Sequence, residues 1–161
     1  MTPLNYELHL MVANPIEHLD AWFDVPAVKR VIFHLETATQ PKQVVEAIRF
    51  HGWEVGVAIN PETPASAVAE IAHYVDEIMC MTVKTGASGR PFEHDVLKKI
   101  EELATAHPHV IIGVDGAIGK ETLGLCMAAG ATRARVNSGI FGPNVSSPAT
   151  AWTELQRIAQ E

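Results

Sequence analysis

The chain alternates between short apolar strands and amphipathic helices, and this alternation limits its possible folds more than any other feature. The strands are predicted at residues 6–12, 28–35, 54–60, 75–83, 110–115 and 133–137. The helices that follow them are predicted at residues 16–23, 41–51, 64–74, 92–107, 120–129 and 148–160. Strict alternation predicts an α/β fold with a parallel sheet, either an open doubly wound layer or part of a (β/α) barrel.

Composition narrows the class of protein. With 161 residues, 47% of them hydrophobic and 19% charged, the chain is expected to form one globular domain over residues 1–161. Its net charge of −7 argues against a nucleic-acid or anionic-membrane surface. We find no leader and no bilayer-spanning apolar run, which predicts a cytoplasmic protein without a membrane partner. Cys80 and Cys126 lie in apolar segments and are predicted to be reduced core residues.

Polar residues recur where the predicted strands end. The apolar run at residues 110–114 stops at Asp115, and a lone strand-end Asp more often caps a turn than binds a ligand. In strand 6–12 the period of two places His9 and Met11 on one face. Because ligands bind at the carboxyl ends of parallel strands, several such residues together predict a site. The other strand ends carry His34, Asn60, Thr82, Asn137 and Ser138.

Six sequence strings resemble the ribulose-phosphate 3-epimerase family, and they occur in the order expected of it. They are residues 8–15 (LHLMVANP), 33–36 (FHLE), 60–64 (NPETP), 79–92, 114–116 (VDG) and 138–142 (SGIFG). The resemblance implies an incomplete TIM barrel of about six βα units, lacking the first two strands. It further implies an isomerase of carbohydrate metabolism that interconverts D-ribulose 5-phosphate and D-xylulose 5-phosphate with a divalent metal such as Zn, Fe, Mn or Co. A flavodoxin-like open sheet is the structural alternative.

The resemblance also implies roles for individual residues. His9 and Asp115 match metal ligands, and Asp115 also matches a proton-transferring group. Met11 and Met81 match methionines that exclude water from the intermediate, although ordinary packing is an equal alternative. His34 matches a substrate-facing histidine that is not itself a metal ligand. The residues that match phosphate-binding loops are Gly86, Ala87, Ser88, Gly89, Gly116, Ala117, Asn137 and Ser138.

The chain departs from the family where the first two units would stand. With them would come two of the four metal ligands and the second acid/base, which epimerisation requires on the opposite face of the sugar. Ala117 and Asn137 also stand where glycines are usual. Three functions therefore stay open, namely an epimerase completed by a partner chain, a phosphosugar-binding protein without turnover, and a structural subunit.

Charged residues on the first and last predicted strands bear on assembly. Arg133 and Arg135 lie on the last strand and Glu7 on the first. Charges on edge strands discourage unwanted pairing. They predict a short protein whose open barrel side is covered by a second copy, as a homo-oligomer, or by a partner subunit.

Overall fold

A single parallel sheet organises the molecule in the computed structural model, which describes residues 4–87 and 89–160. Each strand pairs with the next along the chain. This sequential order confirms the barrel-like prediction, because an open doubly wound sheet reverses its strand order at a switch point. The strands are β1 (Tyr6–Leu10), β2 (Val28–His34), β3 (Glu54–Ile59), β4 (Glu77–Met81), β5 (Ile111–Asp115) and β6 (Arg133–Arg135).

Helices cover the outer face of this sheet. Several begin with proline in the first turn, where the missing N–H removes no hydrogen bond. The Ser147 side chain caps the last helix by accepting from the N–H of Thr150. No helix in the described part of the chain is long and apolar enough to cross a membrane. The helices are α1 (Pro41–Phe50), α2 (Val96–Ala106), α3 (Leu123–Ala128), α4 (Ser138–Phe141) and α5 (Pro148–Ile158).

Two predicted helices are wrong. Residues 16–23 and 64–74 form short 3₁₀ turns instead, at Pro15–His18, Asp20–Trp22, Ala65–Val68 and Ala72–Tyr74. A 3₁₀ turn rises about 2.0 Å per residue against about 1.5 Å in an α-helix. Short 3₁₀ turns therefore span the distance from the end of one strand to the start of the next with fewer residues than an α-helix would need.

Two further helices begin later than predicted because side chains and loops hold their first residues elsewhere. The N–H of Glu93 donates to the carbonyl of Thr82, so α2 starts only at Val96. The Thr122 hydroxyl donates to the carbonyl of Ala117 and delays α3 until Leu123. The single-turn helix α4 was not predicted from the sequence.

The sheet separates two apolar layers. The larger layer fills the space between the strands and the helices, and it includes Cys80 and Cys126 as free, buried thiols. Their free, buried state confirms them as reduced core residues, and burial raises the pKa of Cys80 to about 12 and that of Cys126 to about 11. The smaller layer lies on the inner, concave face of the sheet and consists of Ile32, Ala58, Met79 and Met81.

A cluster of charged residues lies on the same concave face, near the amino ends of β1 to β4 and along β6. We call it the basal cluster; its members are Glu7, Arg30, Glu54, Glu77, Arg133 and Arg135. Glu77 at its centre is fully buried, accepts from Arg133 at 2.6 Å, accepts from Arg135, and lies 3.5 Å from Arg30. Strand β5 leaves room for these groups at Gly113, where a Cβ atom would collide with Glu77 and Arg135.

The basal cluster shows where the charges of the two end strands lie. Arg135 on β6 reaches across the concave face and donates from Nε to Glu7 of β1 at 2.6 Å. Burial raises the pKa of Glu7, but the guanidinium groups of Arg30 and Arg135 outweigh burial and lower it. The charges on the end strands therefore point inward and join the two ends of a curled sheet. Their role as deterrents to edge pairing stays a prediction, since inward-pointing charges can also protect an edge.

Candidate functional site

A cleft of about 470 Å³ opens at the carboxyl ends of the strands. Its walls come from the residues that follow β1, β4, β5 and β6, which is where parallel strands present ligand-binding groups. Most of the predicted site residues lie here, while His9 and His34 do not line the cleft and Ser88 lies outside the described residues. Those that line it are Met11, Met81, Gly86, Ala87, Gly89, Asp115, Gly116, Ala117, Asn137 and Ser138.

Asp115 and His9 meet although their strands, β5 and β1, are not neighbours in the sheet. His9 Nδ1 lies 3.3 Å from Asp115 Oδ2, and both side chains are largely shielded from water. The curl of the sheet brings the two strands together. Thr82 fixes the backbone at Asp115, because its N–H donates to the Asp115 carbonyl at 2.8 Å and its hydroxyl donates to the Gly116 carbonyl.

His34 lies behind His9 and is buried. The two Nε2 atoms are 2.9 Å apart, the ring planes differ by 11°, and the ring centroids are 5.0 Å apart. Rings stacked face to face cannot bring two atoms this close, so the imidazoles lie end to end in nearly one plane. One Nε2 donates a hydrogen bond and the other accepts it.

Glu36 continues the same line of contacts. Its Oε2 lies 3.5 Å from His34 Nδ1, while Oε1 accepts from the N–H of Asn60 at 2.8 Å and from the Thr63 hydroxyl. Burial raises the pKa of Glu36, but these hydrogen bonds outweigh it and lower the pKa to about 2. We call the line Asp115, His9, His34, Glu36 the histidine chain.

The loop after β5 forms part of the cleft wall in an unusual backbone conformation. Gly116 has φ of +116°, and a Cβ there would lie 2.6 Å from Val83 Cγ2, so glycine is required. Ala117 has φ of +49°, a region that costs a non-glycine residue free energy. This is the position where the sequence carries alanine in place of the family's usual glycine.

The two predicted methionines occupy different environments. Met81 is 3% exposed and belongs to the inner apolar layer, whereas Met11 is 59% exposed at the rim. Met81 therefore forms an apolar floor for the cleft, and the cleft stays open to water beside Met11.

The two predicted metal ligands face each other, but the described residues around them offer no further ligand group. No group of three or more His, Cys, Asp or Glu side chains within residues 4–87 and 89–160 is arranged to hold a metal ion. His9 Nδ1 and Asp115 Oδ2 offer one nitrogen and one oxygen donor that face each other. This donor pair fits a divalent transition metal only as half of a coordination shell.

Five cleft residues were not predicted as site residues. Thr85 and Arg90 lie in the loop already identified from its glycines, and Val83 and Ile118 lie beside predicted positions. Arg135 had a usable signal, since Arg133 and Arg135 share one face of β6 by the period of two. The unpredicted lining residues are Val83, Thr85, Arg90, Ile118 and Arg135.

Comparison with known proteins shows what this arrangement resembles. The ribulose-phosphate 3-epimerase of Candida glabrata is 36% identical over 136 residues, which are 84% of this chain and 55% of that protein. The Bacillus subtilis ribulose-phosphate 3-epimerase is 30% identical over 147 residues, covering 88% of this chain and 67% of that protein. The chain thus spans from just over half to two thirds of these relatives' length.

Solved structures support the fold independently of close sequence similarity. The crystal structure of 3-hexulose-6-phosphate synthase matches with a TM-score of 0.66 at 20% identity, covering 92% of this chain and 69% of that chain. This match supports a TIM-barrel-like fold. The profile of the ribulose-phosphate 3 epimerase family matches residues 1–141. The chain therefore belongs to the ribulose-phosphate 3-epimerase family.

Proposed function

We propose that the chain takes part in the metal-dependent interconversion of D-ribulose 5-phosphate and D-xylulose 5-phosphate. Family membership supports a phosphorylated pentose as the substrate and an isomerase as the class of enzyme. The observation that carries the proposal is the approach of His9 Nδ1 to Asp115 Oδ2 at 3.3 Å, beside a cleft of about 470 Å³. A carboxylate at that position can reach a sugar carbon held in the cleft.

His9 and Asp115 are the residues that would hold the metal. When bound, a divalent cation stabilises negative charge that develops on the sugar oxygens after C3 loses its proton. Neutral imidazole and carboxylate donors suit Zn, Fe, Mn and Co. Two protein donors leave other positions to sugar oxygens, water or groups outside the described residues.

Asp115 is proposed to remove or return the C3 proton from one face of the sugar. Met81 excludes water beneath the reacting carbon, because it is almost fully buried in the inner layer. The phosphate is proposed to bind the backbone N–H groups of residues 86, 87, 89, 116–117 and 137–138, and Arg90 in the cleft lining adds positive charge.

Inversion at C3 needs a second proton-transferring group on the opposite face of the sugar. Asp115 is the one carboxylate among the described residues that line the cleft. We therefore propose that the second group comes from another segment of chain or from a partner subunit that covers the open side of the barrel.

The test is NMR-monitored uptake of solvent deuterium at C3 of D-ribulose 5-phosphate, with added Zn²⁺, Mn²⁺, Co²⁺ or anaerobic Fe²⁺. Uptake together with xylulose 5-phosphate is expected if the second group is present in the sample. Uptake without inversion would show Asp115 working from one face. The absence of uptake in a folded protein with each metal would contradict the proposal and favour a binding or structural role.

The variant Asp115→Asn is expected to slow deuterium uptake at least about 100-fold, the contribution of a general base. Asp24→Asn is the matched control, because Asp24 is exposed and lies before β2, away from the cleft. Equal uptake in Asp115→Asn and the wild type would remove Asp115 from the reaction.

A further inference from the structure

The histidine chain runs without interruption from the cleft to the loop after β3. Its contacts measure 3.3 Å from Asp115 to His9, 2.9 Å from His9 to His34 and 3.5 Å from His34 to Glu36. Neither His34 nor Glu36 lines the cleft. Both can therefore act on the site only through His9.

Glu36 is held in place as a hydrogen-bond acceptor. The N–H of Asn60 and the hydroxyl of Thr63 both donate to its Oε1. The loop that carries these donors is itself fixed, because Lys99 Nζ donates to the carbonyls of Asn60 and Pro61 at 2.7 Å each. The remaining oxygen, Oε2, faces His34 Nδ1.

A metal ion held by His9 Nδ1 and Asp115 would fix which nitrogens carry hydrogen. His9 gives a metal its Nδ1 lone pair only as the neutral Nε2–H tautomer. His34 Nε2, 2.9 Å away, must then accept that hydrogen, which places the hydrogen of neutral His34 on Nδ1. The acceptor opposite His34 Nδ1 is Glu36.

We propose that Glu36 is a positioning residue, which acts through His34 to fix the orientation and tautomer of His9 so that the His9 Nδ1 lone pair is available to a metal ion shared with Asp115. The proposal rests on the proposed function of His9 and Asp115 as metal ligands. A carboxylate that orients a ligating histidine raises its basicity and restricts its ring, and such partners affect metal affinity strongly. Here the carboxylate acts through a second histidine.

The first test is long-range ¹H–¹⁵N NMR of the histidine rings in Zn²⁺-loaded protein at about pH 8, where unperturbed imidazoles are neutral. The expected wild-type spectrum has His34 in the Nδ1–H form and His9 in the Nε2–H form. A wild-type His34 in the Nε2–H form would overturn the proposal, even if Glu36→Gln does not fold.

The second test is Co²⁺ affinity by titration. Glu36→Gln is expected to weaken Co²⁺ binding about 10- to 100-fold, as for other residues that orient metal ligands. The control is Glu62→Gln, which removes an exposed carboxylate from the same loop and should bind Co²⁺ like the wild type. Unchanged affinity and tautomers in folded Glu36→Gln would overturn the positioning role.

The two tests separate the positioning role from the proposed function. Wild-type protein that neither binds Co²⁺ nor exchanges the C3 proton contradicts the proposed function, whatever the tautomers. Wild-type protein and folded Glu36→Gln that bind Co²⁺ equally well overturn only the role of Glu36 and leave the proposed function standing.

Discussion

Two polar clusters face the same concave interior, and they differ in how their charges are balanced. The basal cluster at the amino ends pairs the carboxylates of Glu7, Glu54 and Glu77 with three arginines. The histidine chain at the carboxyl ends instead joins two carboxylates through two imidazoles. The apolar layer of Ile32, Ala58, Met79 and Met81 lies between them on β2 to β4, whereas Arg135 of the basal cluster also lines the cleft.

The difference indicates which cluster serves the fold and which is available to a ligand. Buried charges need opposite charges or hydrogen bonds, and the basal cluster provides both from within the chain. The histidine chain instead ends at the Asp115 carboxylate beside an open cleft, where the proposed metal ion would bind. The basal cluster already holds its cations within the chain.

The largest expected effect is that of Glu77→Gln, which tests whether the basal cluster stabilises the fold. Glu77 is fully buried and contacts Arg30, Arg133 and Arg135, so its removal leaves buried guanidinium groups without their central partner. We expect the free energy of unfolding to fall by about 3–5 kcal/mol, as when one partner of a buried ion pair is lost. Urea denaturation followed by circular dichroism measures the change.

Glu54→Gln is the matched control within the same cluster. The Glu54 side chain is 52% exposed, and exposed ion pairs contribute about 1 kcal/mol or less. Equal losses in Glu54→Gln and Glu77→Gln would contradict a buried centre for the basal cluster.

The pH dependence of stability tests whether the outer carboxylate of the histidine chain is held as an anion. The pKa of Glu36 falls from 4.5 to about 2 on folding, so the unfolded chain binds more protons between these values. Its contribution is fully present above about pH 4.5 and is lost as the pH falls through about 2. We expect this loss to reach about 2 kcal/mol, after allowance for partial exposure to water.

The measurement compares urea denaturation of wild type and Glu36→Gln at several pH values between neutrality and pH 2. The stability gap between them should narrow on acidification, because protonated Glu36 resembles glutamine. Glu62→Gln should follow the wild-type curve in parallel. A gap that stays constant across the range would mean that Glu36 is not stabilised as an anion.

Lys99→Met tests the support of the histidine chain by the loop after β3. The Lys99 ammonium group donates to the carbonyls of Asn60 and Pro61, and burial lowers its pKa. Methionine keeps an apolar stem of similar length but leaves both carbonyls without this donor. We expect a loss of about 1–3 kcal/mol in the free energy of unfolding.

The neighbouring lysine on α2 gives a matched control. Lys98 is 84% exposed and lies 3.9 Å from Glu102, an arrangement that contributes about 0.5 kcal/mol or less. Differential scanning calorimetry of both variants measures the contrast. Similar melting temperatures for Lys98→Met and Lys99→Met would show that the Lys99 contacts do not hold the loop.

Much of the fold was predictable because its signals are local. Runs of apolar residues that stop at turn residues located all six strands, with errors of a few residues at their ends. The inward direction of Arg133 and Arg135 was not predictable, because it depends on how far the whole sheet curls. The 3₁₀ turns were also missed, because the distance that a crossover must span depends on where its two flanking strands lie and not on the residues of the crossover.

The site was predictable as a set of strand ends but not as a network. Parallel strands bring Asp115, Met81 and Ser138 to one end of the sheet whatever the details. The contact between His9 and His34 depends on the register of β1 against β2, where His9 pairs with Ile32. The contacts of Glu36 depend further on the loop after β3, so they could not be read from the sequence.

The smallest expected effect is that of Ala117→Gly, which tests the backbone strain in the loop after β5, beside the histidine chain. Ala117 has φ of +49°, which costs alanine about 1 kcal/mol that glycine avoids. Glycine also gains freedom in the unfolded chain, which offsets about 0.4–1 kcal/mol of that relief. We expect the free energy of unfolding to rise by about 0.5 kcal/mol or less, measured by urea denaturation. In contrast, Ala151→Gly within α5 should lower it by about 1 kcal/mol. Equal losses in the free energy of unfolding of the two variants would mean that alanine is unstrained at position 117. The loop beside Asp115 would then hold no backbone strain for a ligand to relieve.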